Sequence, residues 1–228
     1  MPARIDSPVP AVLLTRPEAA SRRFAARLTG LDVVIAPLMR IVPVDHDSAA
    51  VTGAKALIFT SENAVPAAGA GAGRRAICVG PRTADVARAA GFDVTEGPGD
   101  AAGLMPSLIG LGPEWLHPHG RHVAAELPVP GIVVYDQQPL PLSDPARALL
   151  AGDRPVILPL FSPRSARFAA TETRNAAAPL WIAAISAAAD AAWDAAQGKP
   201  PARRVVAERP EADAMARAIA TLTGAVPG

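Results

Sequence analysis

Short apolar runs recur along the chain, each closed by a polar, glycine or proline break and followed by residues at helical spacing. In the first half Ala11–Leu14, Val33–Ala36, Ala56–Phe59 and Ile77–Gly80 read as strands. Trp115-Leu116, Ile132–Tyr135, Val156–Leu160, Leu180–Ile185 and Val205–Ala207 continue the series. Between them Pro17 opens an amphipathic stretch carrying Phe24 and Leu28 among interleaved arginines, and Thr83–Ala90 forms a helix that Gly91 stops. Strands alternating with helices predict an α/β fold, with parallel sheets joined by right-handed crossovers.

The second half echoes the first. Ile58-Phe59-Thr60-Ser61 before a helix corresponds to Leu160-Phe161-Ser162-Pro163, and Arg75–Val79 with Thr83–Ala90 corresponds to Trp181–Ile185 with Ala187–Ala195. Leu13-Thr15-Arg16, a helix and Val33-Val34 correspond to Leu116-His117, a helix and Val133-Val134. This duplication predicts two similar domains, each a parallel sheet flanked by helices, with a cleft between them; on pattern alone a single doubly wound sheet is the alternative. Arg40–Val44 and Gln137–Leu142, extended and proline-containing, are the natural connectors.

Composition narrows the classes. The 228 residues hold 22 Lys+Arg against 21 Asp+Glu, a net charge of +1, which argues against a nucleic-acid binder that works by neutralising phosphates. The single cysteine, Cys78, allows no internal disulfide and no multi-thiolate metal site, and its apolar run predicts a buried strand position. Met1–Pro8 lacks the apolar core of a secretory signal, and Leu180–Ile185 is interrupted too soon to span a membrane. The chain is therefore expected to be cytoplasmic and, with no apolar interface stripe, monomeric.

Familiar cofactor motifs are missing. Gly69-Ala-Gly-Ala-Gly73 precedes a strand instead of opening a helix, so it is expected to be a mobile surface loop and not a nucleotide loop. There is no Walker A lysine, Gly-x-Ser-x-Gly elbow or His-Glu-x-x-His. His117-Pro-His119-Gly-Arg121-His122 gathers imidazoles without thiols or clustered carboxylates, and reads as a strand-to-helix loop that is either solvated or an anion contact, with no metal. The residues just past the strands are more informative. Arg16, Ser61, Thr83, Arg121, Ser162 and Ser186 all stand where a parallel strand hands over to a helix, the edge where open α/β sheets bind ligands. Small hydroxyls beside open helix amides cradle anions; the same residues also cap helices with no ligand present. Tyr135, the only tyrosine, ends its strand, where its phenol either faces the cleft or is half-buried.

Taken in order, Val12-Leu-Leu-Thr-Arg-Pro17, Pro37 with Ile41-Val42-Pro43, Phe59-Thr-Ser61, Val79-Gly80 with Thr83-Ala84, and Ala90-Gly91 resemble the uroporphyrinogen-III synthase family. Val134-Tyr135, Phe161-Ser-Pro163, Ala184-Ile185-Ser186 and Ala207-Glu-Arg-Pro210 carry the resemblance to the end of the chain. It implies a first domain from residues 1–38 plus 139–228 and a second from 39–138. It also implies cofactor-free conversion of hydroxymethylbilane to uroporphyrinogen III, with loss of water and inversion of ring D through a spiro intermediate. Hydroxymethylbilane synthase would be the upstream enzyme. Tyr135 matches the family tyrosine proposed to assist departure of the hydroxyl, and Ser61, Thr83 and Ser162 match hydroxyls of the cleft. Many members have a Gly-Pro-Thr-Thr-like turn where this chain has Ser186-Ala-Ala-Ala-Asp190, so Ser186 and backbone amides would serve there, with Asp190 pointing outward. The altered turn and the histidine-rich loop motivate a different class, a non-catalytic two-lobed module that binds a tetrapyrrole or another polyanion.

Overall fold

The computed structural model describes residues 9–123 and 125–224; the Met1–Pro8 stretch lies outside them. In chain order the elements begin with β1 (Ala11–Leu14), α1 (Glu18–Ala25), β2 (Asp32–Ile35), β3 (Met39–Pro43) and α2 (Ser48–Gly53). Then come β4 (Ala56–Phe59), a 3-10 helix at Glu62–Ala68, β5 (Arg75–Cys78), α3 (Pro81–Ala89), β6 (Asp93–Glu96) and α4 (Ala101–Leu108). They continue with β7 (Trp115–Gly120), β8 (Gly131–Pro139), α5 (Asp144–Ala151), β9 (Val156–Leu160) and α6 (Pro163–Glu172). The last are β10 (Leu180–Ala184), α7 (Ala187–Gln197), β11 (Arg203–Val206) and α8 (Ala212–Thr223).

Two units result, one formed by Met1–Arg40 with Pro139–Gly228 and the other by Ile41–Gln138. The first holds a five-stranded sheet in the order β11-β10-β9-β1-β2, parallel throughout. Alternate residues of each strand serve opposite faces. Leu13, Leu158 and Ile182 pack with Leu150, Ala166 and Trp193 of α5, α6 and α7. Val12, Leu14, Ile157 and Trp181 pack with Phe24 of α1 and Met215 and Ile219 of α8. Because both faces are covered, the central strands read as unbroken apolar runs.

The second unit holds a six-stranded sheet in the order β3-β8-β7-β4-β5-β6. Leu57 and Phe59 face the 3-10 helix and α3, while Ala56, Ile58 and Trp115 face Leu104 and Leu108 of α4. Here several expectations change. The connector expected at Arg40–Val44 is largely β3, an edge strand beside β8, and the second connector starts as the end of β8. No helix lies between β7 and β8 among the described residues, and His117 and His119 belong to β7 itself, with Arg121 and His122 just past it. The expected mobile loop at 69–73 is tied down. The Arg74 guanidinium donates to the carbonyls of Val51 and Thr52 in the last turn of α2 and Ala54 just past it, and to Ala68 at the end of the 3-10 helix and Ala70 and Gly71 beyond it.

Candidate functional site

In each sheet the strand order reverses once, between β9 and β1 in the first unit and between β7 and β4 in the second. Ligands of open α/β sheets sit at such switch points, beyond the carboxyl ends of the strands. Both ladders stop early at these points. β1 and β9 pair only at Ala11↔Val156 and Val12↔Ile157, and β4 and β7 only at Ala56↔Trp115 and Leu57↔Leu116. Proline explains the early stops. The amide of Val156 donates to Pro179 on the β10 side, so in a parallel ladder the nitrogen of Pro159 faces β1 and has no hydrogen to offer. Likewise the amide of His117 donates to Pro130 on the β8 side, and the nitrogen of Pro118 faces β4. Each sheet thus opens a crevice at its carboxyl edge.

Arg16, Ser162 and Ser186 stand at that edge in the first unit. The Arg16 guanidinium lies 4.3 Å above the Phe161 ring, spanning the β1/β9 crevice beside Ser162. Ser162 Oγ accepts from the amide of Ser165 at 3.2 Å, and Ser186 Oγ from the amide of Ala189 at 3.3 Å. Both hydroxyls are therefore caps; α6 opens on Pro163, which has no amide hydrogen, whereas the amides of Ala187 and Ala188 at the start of α7 remain open as at any helix start. Asp190 accepts a hydrogen bond from the Arg204 guanidinium on β11, at 3.2 Å. Its other oxygen is buried without a partner among the described residues, and burial pushes its carboxyl up against the opposing pull of Arg204.

Ser61, Thr83, Arg121 and Tyr135 share the carboxyl edge of the second sheet. Ser61 caps the 3-10 helix, accepting from the amide of Asn63 at 3.2 Å. Thr83 lies in the first turn of α3, whose N-cap Gly80 supplies no side-chain acceptor, and its hydroxyl has no hydrogen-bond partner among the described residues. Arg121 is exposed just past β7 and pairs with Asp136 at 3.4 Å, while His122 approaches the same carboxylate at 3.8 Å. The Tyr135 ring is buried in the apolar cluster of Phe59, Val65 and Ala84, and its hydroxyl too has no partner among the described residues. Of the hydroxyls singled out by the sequence, Thr83 and Tyr135 are the two not engaged in capping.

Sequence reasoning missed two features. His117, expected to be solvated, is 4% exposed, and its Nε2 is hydrogen-bonded to Thr60 Oγ1 at 2.9 Å across the β4/β7 crevice. Burial pushes its imidazole down to about 4, with the charge of His119 adding to the shift. Asp136 also escaped notice, although its place directly after Tyr135 was a signal. No group of three or more potential metal ligands exists among the described residues. Nor is any helix there long and apolar enough to cross a membrane. Cavities of about 220 Å³ around Leu180 and Gln197, and about 440 Å³ around Lys55 and Trp115, open at the opposite edge of the sheets, by the amino ends of the strands.

No curated protein matches the chain. Among solved structures, uroporphyrinogen-III synthetase from Helicobacter pylori 26695 superposes with a TM-score of 0.61 at 16% identity, covering 93% of this chain and 99% of that one. At that identity the likeness establishes the fold. The family model described as uroporphyrinogen-III synthase HemD matches residues 21–217, all of the second unit and most of the first. The chain belongs to the uroporphyrinogen-III synthase family.

Proposed function

We propose that the chain closes hydroxymethylbilane to uroporphyrinogen III, and that Tyr135 is the acid that releases the hydroxyl group. Its family makes it a lyase of tetrapyrrole biosynthesis acting on a small tetrapyrrole substrate. The observation that carries the assignment of Tyr135 is its uncommitted phenol at the carboxyl edge of the second sheet, beside the switch-point crevice. A neutral phenol, with an ordinary pKa near ~10, is a proton donor at neutral pH. The phenol protonates the departing hydroxyl, water leaves and an azafulvene remains. The terminal pyrrole attacks through its substituted carbon, giving a spiro intermediate that fragments and recombines with ring D reversed. The ring proton released at closure restores the phenol, so the net change is loss of one water.

The remaining residues bind and orient. Arg16 and Arg121 supply positive charge, Thr83 an open hydroxyl, and Ser61, Ser162 and Ser186 fix helix starts whose amides face the carboxylates of the substrate. Charge-assisted hydrogen bonds contribute roughly 1.5–3 kcal/mol each, so a few hold a polycarboxylate firmly without a large net charge. Since the bilane also cyclises unaided to the unflipped isomer, the work of the protein is mainly positioning and choice of path. An enzyme of the hydroxymethylbilane synthase type supplies the substrate, and the protein acts as a cytoplasmic monomer.

The test feeds freshly generated hydroxymethylbilane to the purified protein, oxidises the products and resolves the porphyrin isomers by chromatography. A dominant type III isomer is expected. Type I alone would instead assign the chain to the binding-module class. Tyr135→Phe is expected to lower kcat by about 100-fold or more, the usual range for losing a general acid, while product binding persists. Unchanged turnover would remove the phenol from the mechanism.

A further inference from the structure

β7 and β8 run in register through Pro118↔Ile132 and His119↔Val133, and the register then slips so that Gly120 lies opposite Tyr135. Val134 is the extra residue, and the pair contains a one-residue bulge on β8. Consecutive residues of a regular strand point to opposite faces, yet Val134 and Tyr135 belong to the same buried cluster. The bulge has turned the tyrosine by one face. The amide of Arg121 then donates to the Tyr135 carbonyl at 2.9 Å and closes the bulge.

The space the ring occupies is the space a side chain at position 120 would need. A methyl group on Gly120 would lie 2.5 Å from Tyr135 Cζ, 2.6 Å from Cε2 and 2.8 Å from the phenol oxygen, all inside van der Waals contact. Gly120 is not among the glycines with positive φ, so its backbone suits any residue and the demand for glycine comes from the ring alone. We propose that Gly120, with the bulge opposite it, is a positioning residue that seats the Tyr135 phenol for proton delivery. This rests on the role given to Tyr135 above.

Because Tyr135 is the only tyrosine, fluorotyrosine labelling gives one ¹⁹F resonance that reports on this ring alone. Gly120→Ala is expected to move that resonance and to lower kcat at least tenfold, with KM within about twofold. On a Tyr135→Phe background the same alanine should slow turnover by less than about twofold, because the phenol it displaces is already gone. A merely structural role would give equal losses on both backgrounds. Gly152→Ala, whose methyl would meet only the carbonyls of Leu149 and Ala148 at 3.6 Å and 3.9 Å, serves as a control that leaves resonance and turnover unchanged.

If Gly120→Ala does not fold, folding of Gly120→Ala with Tyr135→Leu shows that the ring was the obstacle, and failure of that pair overturns the proposal. Full activity in Gly120→Ala beside a slow Tyr135→Phe overturns the positioning role alone. Full activity in Tyr135→Phe overturns the catalytic role of the phenol, and with it this inference.

Discussion

His117 has exchanged its solvation for a place in β7, and the cost is charge. Its imidazole titrates at about 4 in the folded chain against an ordinary value of 6.5. Below 6.5 the unfolded chain takes up a proton that the folded chain refuses, so stability falls with pH until about 4 and is unaffected above 6.5. At about 1.4 kcal/mol per unit, the loss reaches up to about 3 kcal/mol. Denaturant titrations at pH 7 and pH 5 should show it, and His117→Gln should flatten the difference; an equal slope in both proteins would assign the acid sensitivity elsewhere. Cys78 is the opposite case, since burial pushes its thiol up to about 11. Alkylation of the native protein at neutral pH should therefore proceed only as fast as the chain opens, and rapid labelling would contradict the burial. Cys78 was legible from its apolar neighbours. His117 was not, because Pro118 and Gly120 are loop signals and only the missing ladder on the β4 side makes a proline acceptable in that strand.

Elements with a strong apolar signature were readable, and those defined by their neighbours were not. β1, β4 and β9 are buried along their whole length, and their sequence runs match their observed bounds. β6, Asp93–Glu96, is polar and largely exposed, an edge strand formed because β5 offers a free ladder. The 69–73 loop misled for a related reason: what orders it is a side chain outside the glycine run. Six carbonyls converge on Arg74, and its guanidinium also lies 5.1 Å over the Phe92 ring. Arg74→Met should cost about 2–4 kcal/mol, since partly buried carbonyls lose charged donors together. A loss under about 0.5 kcal/mol would show that water replaces the guanidinium. The candidate site was legible at the level of the edge, where Thr83 and Ser162 fall after strands. Which hydroxyls are spent on capping depends on the first turn of each helix, and only the structure separates Thr83 from the three serines.

At the scale of the whole molecule, the two units differ in how the chain supplies them. Ile41–Gln138 is continuous and carries apolar clusters on both faces of its own sheet, whereas the other unit draws on both ends of the chain. A fragment of residues 39–139, which keeps the edge strand β3, is expected to unfold cooperatively in a thermal melt followed by circular dichroism. A featureless melt would show that its core does not suffice alone. In the discontinuous unit β1 lies inside the sheet, between β2 from its own end of the chain and β9 from the far end. During synthesis β1 and β2 leave the ribosome long before β9 exists. Residues 36–160, which must follow before β9 is complete, take roughly 6–25 s to arrive at ordinary elongation rates. For that interval the fully apolar edge of β1 has no partner, while the continuous unit can already fold behind it. A nascent chain stalled just short of β9 is thus the species most in need of a chaperone, and the order of translation makes the second unit in sequence the first to mature.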